Sequence, residues 1–162
     1  MIIRKATDSD IQAINELAEK IWWPSYRNII SDEQISFMLN DMYSSESLRE
    51  QMNSGIEFLL VERDKLPLAF AGFSETDTKN QVFKLHKLYV LPTEQGQGTG
   101  RKLIEHVSSL AKAKGGKILE LNVNRGNPAH HFYRKIGFDI YQTVDISYHH
   151  FILNDYIMRK DL

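Results

Sequence analysis

Apolar residues switch between extended and helical spacing six times along the chain, and those changes predict its elements. Ile2 to Lys5 reads as a short strand, followed by the N-cap cluster Thr7-Asp8-Ser9-Asp10. Ile11, Ile14, Leu17, Ala18 and Ile21 then recur at three- and four-residue intervals, the buried stripe of a first helix that ends in Trp22-Trp23-Pro24-Ser25-Tyr26. Ser31 with Gln34 forms a capping-box pattern opening a second helix through Phe37, Met38 and Met42, and a third helix runs from Glu46 to Met52. Asn53-Ser54-Gly55 stops it.

From Ile56 the pattern is extended. A hairpin is predicted from Ile56–Arg63 and Leu68–Ser74, turning at Asp64-Lys65-Leu66-Pro67, with a polar loop over Glu75–Asn80. Strict alternation over the next strand, Gln81–Val90, puts Val82, Lys84, His86, Leu88 and Val90 on one face and Phe83, Leu85, Lys87 and Tyr89 on the other. Leu103, Val107, Leu110 and Ala111 then mark a helix closing at Gly115-Gly116, and Lys117–Asn124 is a strand. Asn127 and Pro128 start a short helix faced by Ala129, Phe132, Tyr133 and Ile136, and Asp139–Tyr148 and Phe151–Arg159 are the last strands. The order implies an α/β (α+β) fold: a mixed, mostly antiparallel sheet with one parallel central β-α-β unit and helices on both faces.

Between strand and helix lies Gln95-Gly96-Gln97-Gly98-Thr99-Gly100-Arg101-Lys102. Glycines at alternate positions let backbone N–H groups approach an anion, and the following helix start adds unpaired amides and a positive dipole end. The spacing fits neither a P-loop, which needs four residues between its glycines and Lys before Ser or Thr, nor a dinucleotide fingerprint.

Composition narrows the partners. The 162 residues suit a single domain, 1–162, able to bury roughly 70% of its unfolded surface. Lys plus Arg number 20 against 21 Asp plus Glu, so no global field recruits nucleic acid or an anionic membrane. Without cysteine, thiolate catalysis and Cys-based zinc sites are excluded. The paired histidines His130-His131 and His149-His150 have no ligand spacing, so no metal is expected. With no signal-peptide pattern and no apolar run of spanning length, a cytoplasmic location is the default expectation.

Two blocks together resemble the GNAT superfamily of N-acetyltransferases, which transfer acetyl from acetyl-CoA to amines. One is Leu88-Tyr89-Val90-Leu91-Pro92 followed by Gln95-Gly96-Gln97-Gly98-Thr99-Gly100; the other is Asn127-Pro128-Ala129-His130-His131-Phe132-Tyr133-Arg134-Lys135-Ile136-Gly137-Phe138. The resemblance implies an acyl-CoA N-acyltransferase domain acting on a primary amine of a small molecule or peptide by direct attack, with acetyl-CoA as cosubstrate. It implies a sheet that splays beside the strand ending at Val90, so that backbone groups of Leu88, Tyr89 and Val90 hold the pantetheine arm. The pyrophosphate falls on the amides of Gln97 to Arg101, with Gln95, Gly96, Asn124, Asn127, Tyr133 and Lys135 also near the cofactor. The resemblance places acceptor recognition in the early helices and last strands, here the Trp22 to Tyr26 cluster with Trp23 and Tyr26, Tyr43 and the Tyr148-His149-His150 region, and makes a homodimer possible.

Chemistry sets the demands on such a site. An alkyl ammonium of pKa about 10 is roughly a thousandth neutral near pH 7.4, a cost of about 4 kcal/mol, so a base is useful. A backbone N–H near Val90 would stabilise the oxyanion, and Tyr133, at the position of the family's acid, would protonate the leaving thiolate; its alternative is a packed aromatic. Many family members carry a Glu where this chain has Lys84. His86, with an ordinary pKa near 6.5, is then the base candidate, its alternative a half-buried, satisfied histidine. As base it would make removal costly to rate mainly below pH 8. Glu62 is the weaker candidate, and a catalytically degenerate CoA-binding or regulatory module is the competing function.

Overall fold

A computed structural model describes residues 1–162. Seven strands form one sheet in the order β1-β2-β3-β4-β5-β7-β6. They are β1 (Ile2–Lys5), β2 (Glu57–Arg63), β3 (Leu66–Asp77), β4 (Val82–Val90), β5 (Ile118–Asn124), β6 (Asp139–Tyr148) and β7 (Phe151–Asp161). All neighbours pair antiparallel except β4 with β5, which the helix α4 (Thr99–Ala113) connects as a parallel unit. The mixed, mostly antiparallel α/β fold is as expected.

Helices α1 (Ile11–Tyr26), α2 (Asp32–Tyr43) and α3 (Ser45–Asn53) cover one face, and α4 with α5 (Ala129–Lys135) covers the other. Alternation along β2 shows why both are needed. Phe58 and Leu60 enter the α1–α3 core while Leu59 and Val61 enter the α4–α5 core, all four at most 1% exposed. Burying each such side chain contributes roughly 1.5–3 kcal/mol.

Two boundaries move from their expected places. Asp64 and Lys65 both have positive φ, 52° and 65°, which makes a two-residue hairpin turn and returns Leu66 and Pro67 to the strand. The expected polar loop shortens because β3 continues to Asp77, pairing with Val82 across an irregularity between Glu75 and Asp77. Pro24 lies inside the last turn of α1, and the helix carries the aromatic cluster through to Tyr26.

Where α4 hands over to β5, Gly115 adopts φ +89° and Gly116 sits against Phe83. A Cβ on Gly116 would meet a Phe83 ring carbon at 2.7 Å and the Ala111 carbonyl oxygen at 2.8 Å. Neither the backbone oxygen nor the buried ring can step aside cheaply. Gly116→Ala is therefore expected to cost about 1–3 kcal/mol, read as a lowered urea midpoint with unchanged slope; an unaltered midpoint would show that the helix end relaxes freely.

Candidate functional site

The site begins with one extra residue in β4. Gly72 pairs with Lys87 but the next residue, Phe73, pairs with Leu85, so His86 bulges from the ladder. The bulge overturns the expected faces. Phe83 and Leu85 lie with Leu88 and Val90 on the α4–α5 side, whereas Tyr89 packs on the α1–α3 side. His86 and the adjacent Lys87 both turn to that second side: His86 Nε2 is 2.7 Å from Ser74 Oγ, and Lys87 Nζ lies 4.8 Å above the Tyr43 ring.

At the same residue the parallel ladder stops. Pairing of β4 with β5 runs from Val82↔Ile118 to Leu85↔Leu121 and no further, although both strands continue. The Leu91 N–H bonds the Leu68 carbonyl on β3, and alternation then turns the backbone groups of Leu88 and Val90 toward the open side. The Gln95 side chain reaches back to the Val90 carbonyl at 3.4 Å. A cleft therefore opens between β4 and β5, walled by unpaired strand edges.

The glycine loop closes one end of this cleft. Gly96 and Gly98 both have φ +82°, and α4 starts at Thr99. The first helical bond runs from the Lys102 N–H to the Gly98 carbonyl, so Gly98, Thr99, Gly100 and Arg101 present N–H groups without backbone partners. Gln97, expected to join them, instead donates its N–H to the Glu94 carbonyl at 3.3 Å. The Thr99 side chain is buried and donates to Glu94 Oε2 at 3.2 Å, and Glu94 is gripped by Arg63 of β2 at 2.6 and 3.2 Å. That grip holds the Glu94 carboxyl below its usual range. Arg101 is exposed and bonded to Glu105.

Aromatic hydroxyls gather on the α1–α3 side of β4. Tyr26 and Tyr89 hydroxyls are 3.1 Å apart, the Asn127 side chain lies beside Tyr26, and the Asn127 oxygen also accepts the Ala129 N–H at 2.9 Å. Tyr133 of α5 is buried, close enough for its ionisation to couple to those of Tyr26 and Tyr89, and burial pushes its phenol well above the ordinary value. At neutral pH it holds its proton. Asn124 Oδ1 accepts the Gly126 N–H at 2.8 Å and shapes the turn before α5, while Lys135 stands exposed at the end of that helix. Trp23 is partly exposed, its indole N–H donating to Glu19. Tyr43, expected to meet the acceptor, is only 1% exposed and packs among Trp22, Phe70 and Tyr89 as core.

Among the base candidates, Glu62 is bonded to Arg4 on the β1–β2 edge, at 2.5 Å. Burial, with the charges of Lys84 and Lys87, drives the His86 imidazole down to about 4. That shift favours the neutral ring near pH 7 and moves any rate break from its own titration well below pH 8. Lys87, absent from the sequence-based site, is 8% exposed without an ion-pair partner, and burial lowers its ammonium to about 8. Its signal was the bulge, which alternation hides. No helix is long and apolar enough to cross a membrane.

Comparison with known proteins agrees with this fold. The family description "Acetyltransferase (GNAT) domain" matches residues 26–151. A spermidine N(1)-acetyltransferase of Thermoplasma acidophilum is 30% identical over 98% of this chain and 95% of its own length. The crystal structure of the PaiA N-acetyltransferase from the same organism, in complex with coenzyme A, superposes with a TM-score of 0.85 at 28% identity, covering 99% and 98% of the two chains. A [ribosomal protein bS18]-alanine N-acetyltransferase of Haemophilus influenzae is 33% identical over 54% of this chain and 59% of its own.

Proposed function

The chain belongs to the GNAT acetyltransferase family, and on that premise we propose that it moves acetyl from acetyl-CoA to a primary amine of a small molecule or peptide by direct attack. Residues 1–162 act as one acyl-CoA N-acyltransferase domain, working in the cytoplasm. The observation that carries the reading is the early end of the β4–β5 ladder after Leu85, which leaves strand-edge groups beside the unpaired N–H groups at the start of α4. A strand edge suits the amides of a pantetheine arm, and four convergent N–H groups at a helix N-terminus suit a pyrophosphate. Acetyl-CoA, when bound, supplies an acetyl thioester.

The chain's own groups divide the remaining work. Gly98 to Arg101 bind the phosphates through backbone N–H groups, and Leu88 and Val90 orient the arm. The Val90 N–H, free on the open side, stabilises charge developing on the thioester oxygen. Tyr133 keeps its proton until a thiolate departs, then supplies it. Tyr26 and Trp23 wall the acceptor's approach. The relative named for spermidine and the one named for a ribosomal protein's alanine support an amine acceptor of either kind.

The test is release of free thiol from acetyl-CoA with a panel of primary alkylamines and N-terminal peptides. Amine-dependent release together with an N-acetylated product by mass spectrometry is expected. Binding of CoA with no release from any acceptor would favour the degenerate CoA-binding module.

A further inference from the structure

The chain buries three carboxylates, and two are gripped by arginine: Asp10 by Arg4 at 2.8 Å and Glu94 by Arg63 at 2.6 Å. The third, Asp155 on β7, is 7% exposed and has no cation within ion-pair distance. Its side chain receives one long bond, from Asn122 Nδ2 at 3.4 Å. Because that amide donates to the carboxylate, the Asn122 oxygen points elsewhere, and it is buried with no donor at all. A carboxylate and an amide oxygen are thus buried together, short of hydrogen-bond donors. Leaving such groups unpaired costs stability, so the arrangement fits a ligand that brings N–H donors.

Register places this pair on the α1–α3 face, beside the strand that borders the cleft. Leu121, Val123 and Met158 enter the α4–α5 core, so alternation turns Asn122 on β5 and Asp155 on β7, which pairs with Asn124, to the α1–α3 side. Tyr26 at the end of α1 feels the Asp155 charge. The charged groups facing it are Lys84 of β4 and Arg125, whose guanidinium is occupied by the Val144 and Asp155 carbonyls and by Asp145.

We propose that Asp155 and the Asn122 side-chain oxygen seat the acceptor as a primary alkylammonium, and that Asp155 is the group that takes its proton. The inference rests on the acetyl-transfer reading. One ammonium proton passes to the Asp155 carboxylate, freeing the nitrogen lone pair. That pair forms the C–N bond at the thioester carbon as the C–S bond breaks, and the sulfur leaves with the Tyr133 proton. The second amine proton returns to the Tyr133 oxygen, and Asp155 gives its proton to water. One proton thus ends on sulfur and one in solvent. Burial raises the Asp155 carboxyl above its ordinary value, which narrows the gap it must bridge to an ammonium.

The experiment compares wild type, Asp155→Asn and Asn122→Ala, with butylamine as acceptor. Asp155→Asn is expected to lower kcat/KM at least a hundredfold at pH 7. Its remaining rate should climb tenfold per pH unit toward the amine's own pKa, while acetyl-CoA binds within about twofold of wild type. Asn122→Ala is expected to raise KM for butylamine at least fivefold with a smaller change in kcat. A rate for Asp155→Asn within threefold of wild type, or a deficit equal at pH 7 and pH 10, overturns the proposal. Should that variant fail to bind acetyl-CoA, Asn122→Ala decides, an unchanged KM being fatal. A wild type that binds butylamine and acetyl-CoA but releases no thiol defeats the acetyl-transfer reading; loss of that amine binding in Asn122→Ala would still uphold the seat.

Discussion

Tyr133→Phe is expected to lower turnover at least tenfold while changing acetyl-CoA affinity by no more than about twofold. The ring is buried between Phe132 and Phe138, and Phe keeps that packing, so stability and cofactor binding have little reason to change. What disappears is one hydroxyl. Burial favours its protonated form, so wild type reaches the thiolate's departure with the proton in place. A general acid contributes typically 10²- to 10⁴-fold, and a well-solvated thiolate needs less help than an alkoxide, which sets the lower bound of ten. Steady-state kinetics with CoA titration on the same variant decides it: an unchanged kcat would return Tyr133 to the role of a packed aromatic.

Lys87→Met is expected to stabilise the fold at pH 7 by about 2–3 kcal/mol, an effect that disappears toward pH 10.5. The sign follows from the protons held. Burial takes the Lys87 ammonium from its ordinary value of about 10.5 down to about 8. Between those values the folded chain has released the proton and the unfolded chain has not, so wild-type stability rises with pH across that window. Below pH 8 the folded protein carries the buried charge, and the whole penalty is present. Methionine fills similar space without charge and gives up only the weak attraction to the Tyr43 ring. Urea unfolding at pH 7 and pH 10.5 measures both ends; a variant less stable than wild type at pH 7 would mean that the ammonium is well partnered in the fold.

Most of the architecture was legible because the elements announce themselves locally. The stripe Ile11-Ile14-Leu17-Ala18-Ile21, the cap at Ser31 and the closing glycines of α4 fell where the sequence pattern put them. The glycine loop and Tyr133 were visible as motifs, since a backbone needing positive φ at Gly96 and Gly98 leaves its mark in the residue type. What escaped depends on pairing between distant strands. A bulge is a mismatch of count between β3 and β4, and neither strand alone reveals it, so alternation put His86 with Leu88 and Val90 and hid Lys87. Asp155 escaped for a related reason. A lone Asp between Asn154 and Tyr156 in a late strand looks solvated, and only the register with Asn124 shows it buried on the α1–α3 face.

The Arg63–Glu94–Thr99 clasp bears on how quickly a ligand can be captured. A stretch of Gln, Gly, Gln and Gly would by composition sample many shapes. Yet its entry at Glu94 and its exit at Thr99 are fastened to each other and to β2, on the far side of β3 and β4. The ordering entropy of that stretch is therefore lost during folding and not at each encounter. On the proposed reading, a phosphate would meet amides already aimed, and its capture would not wait for the loop to find its form.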